Sequence, residues 1–341
     1  MGLDLKPLTE PAHIKLEQLS TKIIAIDAYN AIYQFLAIIR GQHGEHLTDN
    51  SGNVTSHLSG LFYRNVNLLS IGIKPVYVFD GKPPSLKYAE IERRRRAKQE
   101  ATVKYVEALQ KGRVEEARKY AQFTSIIKDC MVDDAKRLLD LLGIPHIDAP
   151  SEGEATAANL TINDTAYASA SQDFDSLLFG AKRLVRNLTI SGRRKLPNKQ
   201  VFIDVEPEII EFDRMLKNLG ITRERLVDIG ILIGTDFNPD GFKGIGPKKA
   251  LKMIKEHGRL EDVPDVKDKL NEIDFNKVRE IFLKPNVTSI EQVGFKDPNH
   301  TGMVEFLCKQ RNFSEQRVST AMQKLKKASE TRSRTLEQWF N

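Results

Sequence analysis

Two pairs of carboxylates, each spaced i, i+2, carry the most chemistry in this chain: Glu152 with Glu154, and Asp173 with Asp175. Three more join them as candidates: Asp27 and Asp80, each closing an apolar run, and Asp236, which follows an apolar helical stretch. So many carboxylates cannot ionise side by side near pH 7 without cations, because like charges raise one another's pKa. Oxygen donors with no Cys or His among them favour Mg²⁺, or Mn²⁺ in its place, over zinc. Two such ions about 4 Å apart would activate a water and stabilise the leaving oxygen of a phosphodiester. The competing reading is local. Ser151 would cap a helix with Glu154 as its capping-box partner, and the aspartates would close strand ends or start turns.

The elements that must position these groups are legible as patterns. Lys22 to Asp27 and Pro75 to Asp80 are apolar runs ending in aspartate, and Ala166 to Ser171 is a small-residue strand leading to Asp173. Three strands that each deliver an aspartate at one edge place the cluster where parallel sheets bind ligands. Helical periodicity lies between them, at Tyr29 to Arg40, Ser56 to Ile71 and Val132 to Leu142. The expectation is an α/β fold: a mostly parallel central sheet flanked by helices. Leu184 to Leu188 and Gln200 to Val205 read as further strands, with Arg193 to Lys195 as a basic turn, and residues 261–328 as mainly helical. Between Gly81 and about Lys128 the pattern breaks into a charged, helix-prone insertion with the run Arg93-Arg94-Arg95-Arg96. That run is either a solvated face or a grip on a phosphate backbone above the sheet edge.

Lys243-Gly244-Ile245-Gly246-Pro247-Lys248-Lys249 is the hairpin pattern of a helix-hairpin-helix module over about 225–257, though a lone GxG is commonly a simple turn. Glycines let a backbone approach phosphate, and the following helix start adds its amides. At the end of the chain, Leu336, Trp339 and Phe340 form an apolar face on a polar tail, with Glu330 to Arg334 expected to be disordered. The face either docks on its own protein or fills a partner's groove. The 341 residues are 40% hydrophobic and 29% charged, with 52 basic against 46 acidic side chains and a net charge of +6. That balance fits a soluble protein with a polyanionic partner. Two cysteines make neither a disulfide framework nor a zinc cluster, and no apolar run has membrane-spanning length; an intracellular protein is expected.

Together, Val78-Phe-Asp-Gly-Lys-Pro-Pro84, Ala149-Pro-Ser-Glu-Gly-Glu-Ala155, Asp173-Phe-Asp175, Gly234-Thr-Asp236 and Lys243-Gly-Ile-Gly-Pro-Lys248 resemble the structure-specific 5′ flap endonucleases in their archaeal form. The resemblance spans nearly the whole chain. It implies a Mg²⁺-dependent monomer that cuts 5′ flaps, with associated 5′-3′ exonuclease activity, in Okazaki-fragment maturation and base-excision repair. By motif, Asp27, Asp80, Glu152 and Glu154 resemble the ligands of one metal site, and Asp173, Asp175 and Asp236 those of the other. Lys87 and Arg94 resemble the basic pair that contacts the scissile phosphate, and Tyr33 the aromatic that stacks on a base. Thr55 and Phe313 to Arg317 resemble a pocket for a one-nucleotide 3′ flap. Arg93, Arg95 and Arg96, with Gly244, Gly246, Lys248 and Lys249, are expected on DNA. The tail resembles the motif that binds the sliding clamp PCNA, although Ser333 stands where the motif usually has Gln. The expected organisation is a nuclease domain over 1–328, with an N-terminal region to 105, an arch at about 81–128, an internal region at about 123–257 and a helical region from 258. A flexible tail over 329–341 would follow. Alternatives are a related nuclease preferring double-strand ends or bubbles, and a non-catalytic junction- or clamp-binding scaffold.

Overall fold

The computed structural model describes residues 3–195 and 202–340; the side chains at 193–195, 202–203, 268–269, 271 and 332–340 lie outside that description. A two-residue strand β1 (Ala12–His13) precedes β2 (Ile23–Asp27), which passes directly into α1 (Ala28–Ile38). Then come α2 (Ser56–Ile71) and β3 (Lys74–Phe79). The insertion folds as a long helix α3 (Tyr88–Gln110) turning into α4 (Val114–Ala121). The chain returns through α5 (Asp129–Leu141), β4 (His146–Asp148), α6 (Gly153–Ile162), β5 (Ala168–Ala170), the single turn α7 (Asp175–Leu178) and β6 (Arg183–Arg186). A two-stranded ribbon, β7 (Gly192–Lys195) with β8 (Phe202–Val205), and a strand β9 (Glu208–Glu211) follow. Helices α8 (Phe212–Leu219), α9 (Arg223–Ile233), α10 (Pro247–His257), α11 (Phe275–Leu283), α12 (His300–Met303) and α13 (Glu315–Phe340) complete the chain.

The main sheet has the order β1-β9-β6-β5-β2-β3-β4. β2 lies at the centre of the five parallel strands, between β3 and β5, with β4 and β6 parallel outside them. Both faces of these strands are covered, which is why they read as unbroken apolar runs. Ile24, Ile26, Tyr77 and Phe79 pack on one face with α1, α2, α5 and α13, while Ala25, Val76 and Val78 pack on the other with α6. The carboxyl ends of β2, β3 and β5 therefore share one edge, below α3.

The sheet is mostly parallel, as expected, with an antiparallel edge where β9 runs against β6 and β1; the short half-polar segment Glu208–Glu211 has no long apolar run to announce it. The region 261–328 is mainly helical, as expected, apart from residues 285–298, where Pro285, Gly294 and Pro298 interrupt it. Two expectations need correction. Helix α6 is capped at Glu152 and not at Ser151, since its Gly153 amide finds an acceptor in Asp80 and needs no capping box. Residues 330–334 are helical: α13 runs unbroken to Phe340 through a stretch with neither Gly nor Pro. Among the described residues no helix is long and apolar enough to cross a membrane.

Candidate active site

All seven predicted carboxylates line one cleft of about 580 Å³, together with Lys87, Arg94 and Tyr33. Asp27 ends β2 and caps α1, its Oδ1 accepting from the Asn30 backbone N–H at 2.9 Å. Asp80 follows β3, and its Oδ1 accepts from the Gly153 N–H at 2.6 Å. A Cβ at 153 would stand 2.7 Å from that oxygen, so any larger residue there would push the Asp80 carboxylate aside. Glu152 caps α6 and Glu154 sits in its first turn, 3.4 Å from the Ser176 hydroxyl that donates to it. Asp173 lies between β5 and α7 and accepts from Asn30 Nδ2 at 3.1 Å. Asp175 opens α7, and Asp236 follows α9.

Cations from the insertion reach down into this cluster. Lys87 Nζ bonds to Glu152 and lies 3.6 Å from Asp236 Oδ2. Arg94 Nη2 meets Asp236 Oδ1 at 2.5 Å, while its Nε holds Glu90 at 2.7 Å. Burial pushes the carboxyls of Asp27, Asp80, Glu152, Glu154, Asp173 and Asp175 above the usual carboxylate range. Neighbouring carboxylates add to it: Asp80 acts on Asp27, Asp175 on Glu154, and Asp236 on both Asp173 and Asp175. Burial alone would lower the Lys87 ammonium, but Glu152, Asp80 and Asp236 outweigh it and raise it.

The donor set suits divalent cations. It is all oxygen, negatively charged, and held short of full ionisation by its own crowding. Among the described residues Asp175 Oδ1 is buried with no hydrogen-bond partner, so its lone pairs are free for an ion. Also among the described residues, no three Asp, Glu, His or Cys side chains are drawn together into a ready metal cage. Carboxylates that repel one another close up only around a cation, and here Lys87 and Arg94 occupy that role in part.

The remaining predicted residues fall into separate places. Tyr33 projects from α1 beneath α3, with Lys98 Nζ donating to its hydroxyl at 3.0 Å and 4.3 Å from its ring centroid. It also borders a second cavity of about 620 Å³, which Lys104, Tyr120 and Phe123 enclose from the insertion. Arg93 bridges Glu90 and Asp240, whereas Arg95 and Arg96 are exposed and pair loosely with Glu92. Thr55 is buried at the start of α2, Phe313 packs on the α2 core, and Arg317 is exposed. The loop before Thr55 is tied to this region: the Asn50 N–H donates to Asn312 Oδ1 at 2.9 Å, and Arg311 lies 3.8 Å from Asp49. Gly244, Gly246, Lys248 and Lys249 lie exposed at the start of α10, Gly244 at φ +82°. A Cβ at either glycine would meet open space. Leu336, Trp339 and Phe340 fall on the last turns of α13, their side chains outside the described residues.

Asn30, Gly153 and Lys98 escaped the sequence reading. An asparagine three residues after a strand-end aspartate, in an otherwise apolar helix start, is the signal that could have found the first.

Two family models match the chain: the XPG N-terminal domain over residues 4–101 and the XPG I-region over 143–236. The chain is 60% identical to a protein named flap endonuclease 1 from Nitrosopumilus maritimus, over all of both chains. Its structure resembles that of flap endonuclease-1 from Methanococcus jannaschii, with a TM-score of 0.75 and 38% identity over 97% of this chain and all of that one. It also resembles the catalytic core of Rad2 in complex with DNA substrate, with a TM-score of 0.69 and 25% identity over 94% of this chain and 97% of that one.

Proposed function

The chain belongs to the flap endonuclease 1 family, and from that premise we propose how its residues perform structure-specific cleavage of branched DNA in replication and repair. The observation that carries the reading is the convergence of all seven carboxylates with Lys87 and Arg94 in one cleft below α3. Asp27, Asp80, Glu152 and Glu154 would hold one Mg²⁺, and Asp173, Asp175 and Asp236 a second; Mn²⁺ would substitute. When bound, the ions supply Lewis acidity and an activated water for phosphodiester hydrolysis.

The protein's own part is to bring a phosphate to that point. Lys87 and Arg94 exchange their carboxylate partners for phosphate oxygens and stabilise charge that develops on them. Tyr33 offers a ring face to an adjacent base, its position fixed from above by Lys98. The insertion at about 81–128 acts as an arch that a free 5′ end enters. The start of α10 holds duplex phosphates through open backbone amides, Lys248 and Lys249, contacts that position DNA without reading its sequence. The region of Thr55, Phe313 and Arg317 accepts a short 3′ flap, and the tail engages a sliding clamp while the enzyme works as a monomer.

The test compares a labelled double flap with nicked duplex, bubble and single strand, in Mg²⁺ and in EDTA. Cleavage at the 5′ flap base, lost in EDTA, is expected. Preferential cutting of bubbles would overturn the flap reading, and metal-independent cutting the two-metal one.

A further inference from the structure

We propose that Asn30 is a positioning residue that fixes the separation of the two carboxylate groups, and with it the affinity of the site for its divalent ions. Its backbone N–H bonds to Asp27 Oδ1 at 2.9 Å, and its side-chain Nδ2 bonds to Asp173 Oδ2 at 3.1 Å. One residue thus touches a carboxylate assigned to each metal. Nothing else in α1 connects the two strand ends this directly.

The orientation of the amide is itself determined. Asn30 Oδ1 accepts from Gln34 Nε2 and, at 3.3 Å, from the Gln172 N–H. A flipped amide would set Nδ2 against two donors and leave Asp173 without its bond, so Nδ2 must face the carboxylate. Gln34 is oriented in turn by Asn30, whose Oδ1 takes its Nε2 as donor, and its Oε1 then accepts from the Thr189 hydroxyl. Thr189 lies between β6 and the ribbon of β7 and β8, so the chain of bonds spans from that ribbon's base to Asp173. Asparagine early in a helix ordinarily competes with the backbone for hydrogen bonds. Here its side chain is committed outward to the site.

A partner behind a metal ligand typically changes metal affinity by about 10- to 100-fold when removed. The inference rests on the two-metal reading, and the experiment separates them. Binding of Mn²⁺ to the DNA-free full chain is followed by electron paramagnetic resonance. The Mg²⁺ midpoint of single-turnover flap cleavage and the melting temperature in EDTA are measured alongside. Asn30→Ala is expected to weaken Mn²⁺ binding and raise the Mg²⁺ midpoint by about tenfold or more. Most of the rate should return at saturating Mg²⁺, with little change in metal-free melting. Gln34→Leu keeps the amide but frees its orientation, and should shift the midpoint in the same direction by less; it stands in if Asn30→Ala fails to fold. An unchanged midpoint and unchanged Mn²⁺ binding in both variants would overturn the positioning role. Wild-type protein that binds no Mn²⁺ would overturn the two-metal reading beneath it.

Discussion

At the scale of single residues, the carboxylates were legible because charge and position coincide: three of them end strands, and strand ends of a parallel sheet converge. Asn30 was not legible, since its importance lies in a bond to Asp173 across 143 positions, which no local pattern records. Replacing Asp173 by Ala should abolish flap cleavage while leaving flap affinity in Ca²⁺ unchanged or slightly raised, because negative charge beside phosphate is removed; single-turnover kinetics and a binding titration decide it. A second consequence is a pH dependence. The buried carboxyls have raised folded-state pKa values, so the metal-free fold retains protons that the unfolded chain has already released. Stability of the metal-free protein should therefore fall as pH rises through those values. Ion binding needs the carboxylates ionised and neutralises their repulsion. The melting-temperature gain from Mg²⁺ should then grow as pH rises from the ordinary carboxylate range through those raised values. A gain that is flat across that range would mean the ions bind elsewhere.

At the scale of elements, long periodic or fully apolar segments are legible: Ser56 to Ile71 is the helix expected, and α10 starts at Pro247 and ends at His257 as its pattern predicts. Elements whose existence depends on a distant partner are not. β1 and β9 survive as an antiparallel pair on the sheet edge, and two or four residues of mixed polarity carry no strand signal alone. The α6 start shows the same limit, its first amide being satisfied from β3 and not from its own cap. Helix α10 presents two exposed lysines and an open glycine turn to solvent. Lys248→Ala with Lys249→Ala should weaken binding to every duplex-bearing substrate, whatever its sequence, and lower the salt slope by about two, roughly one counterion per lost contact. Footprinting should show the lost protection on duplex away from the flap junction. Loss at the junction instead would move this element to another part of the DNA.

At the scale of the whole molecule, the C-terminal helix is anchored well before its end. Val318, Met322 and Leu325 are buried in the same core as α1 and α2, upstream of the apolar residues at 336, 339 and 340. Truncation after Arg332 should therefore leave clamp-free cleavage and melting temperature unchanged and remove only the stimulation by the clamp. A lower melting temperature in the truncated chain would show that the tail packs on its own protein. The distribution of the site along the chain has a further consequence, in time. The centre of the parallel part of the sheet closes once residue 170 is available, because β2, β3 and β5 are its middle strands. Asp236, the carboxylate that both Lys87 and Arg94 reach, arrives last. A growing chain on the ribosome thus has its central strands before it has the last of the seven cleft carboxylates, which arrives only when more than two-thirds of the chain has been made.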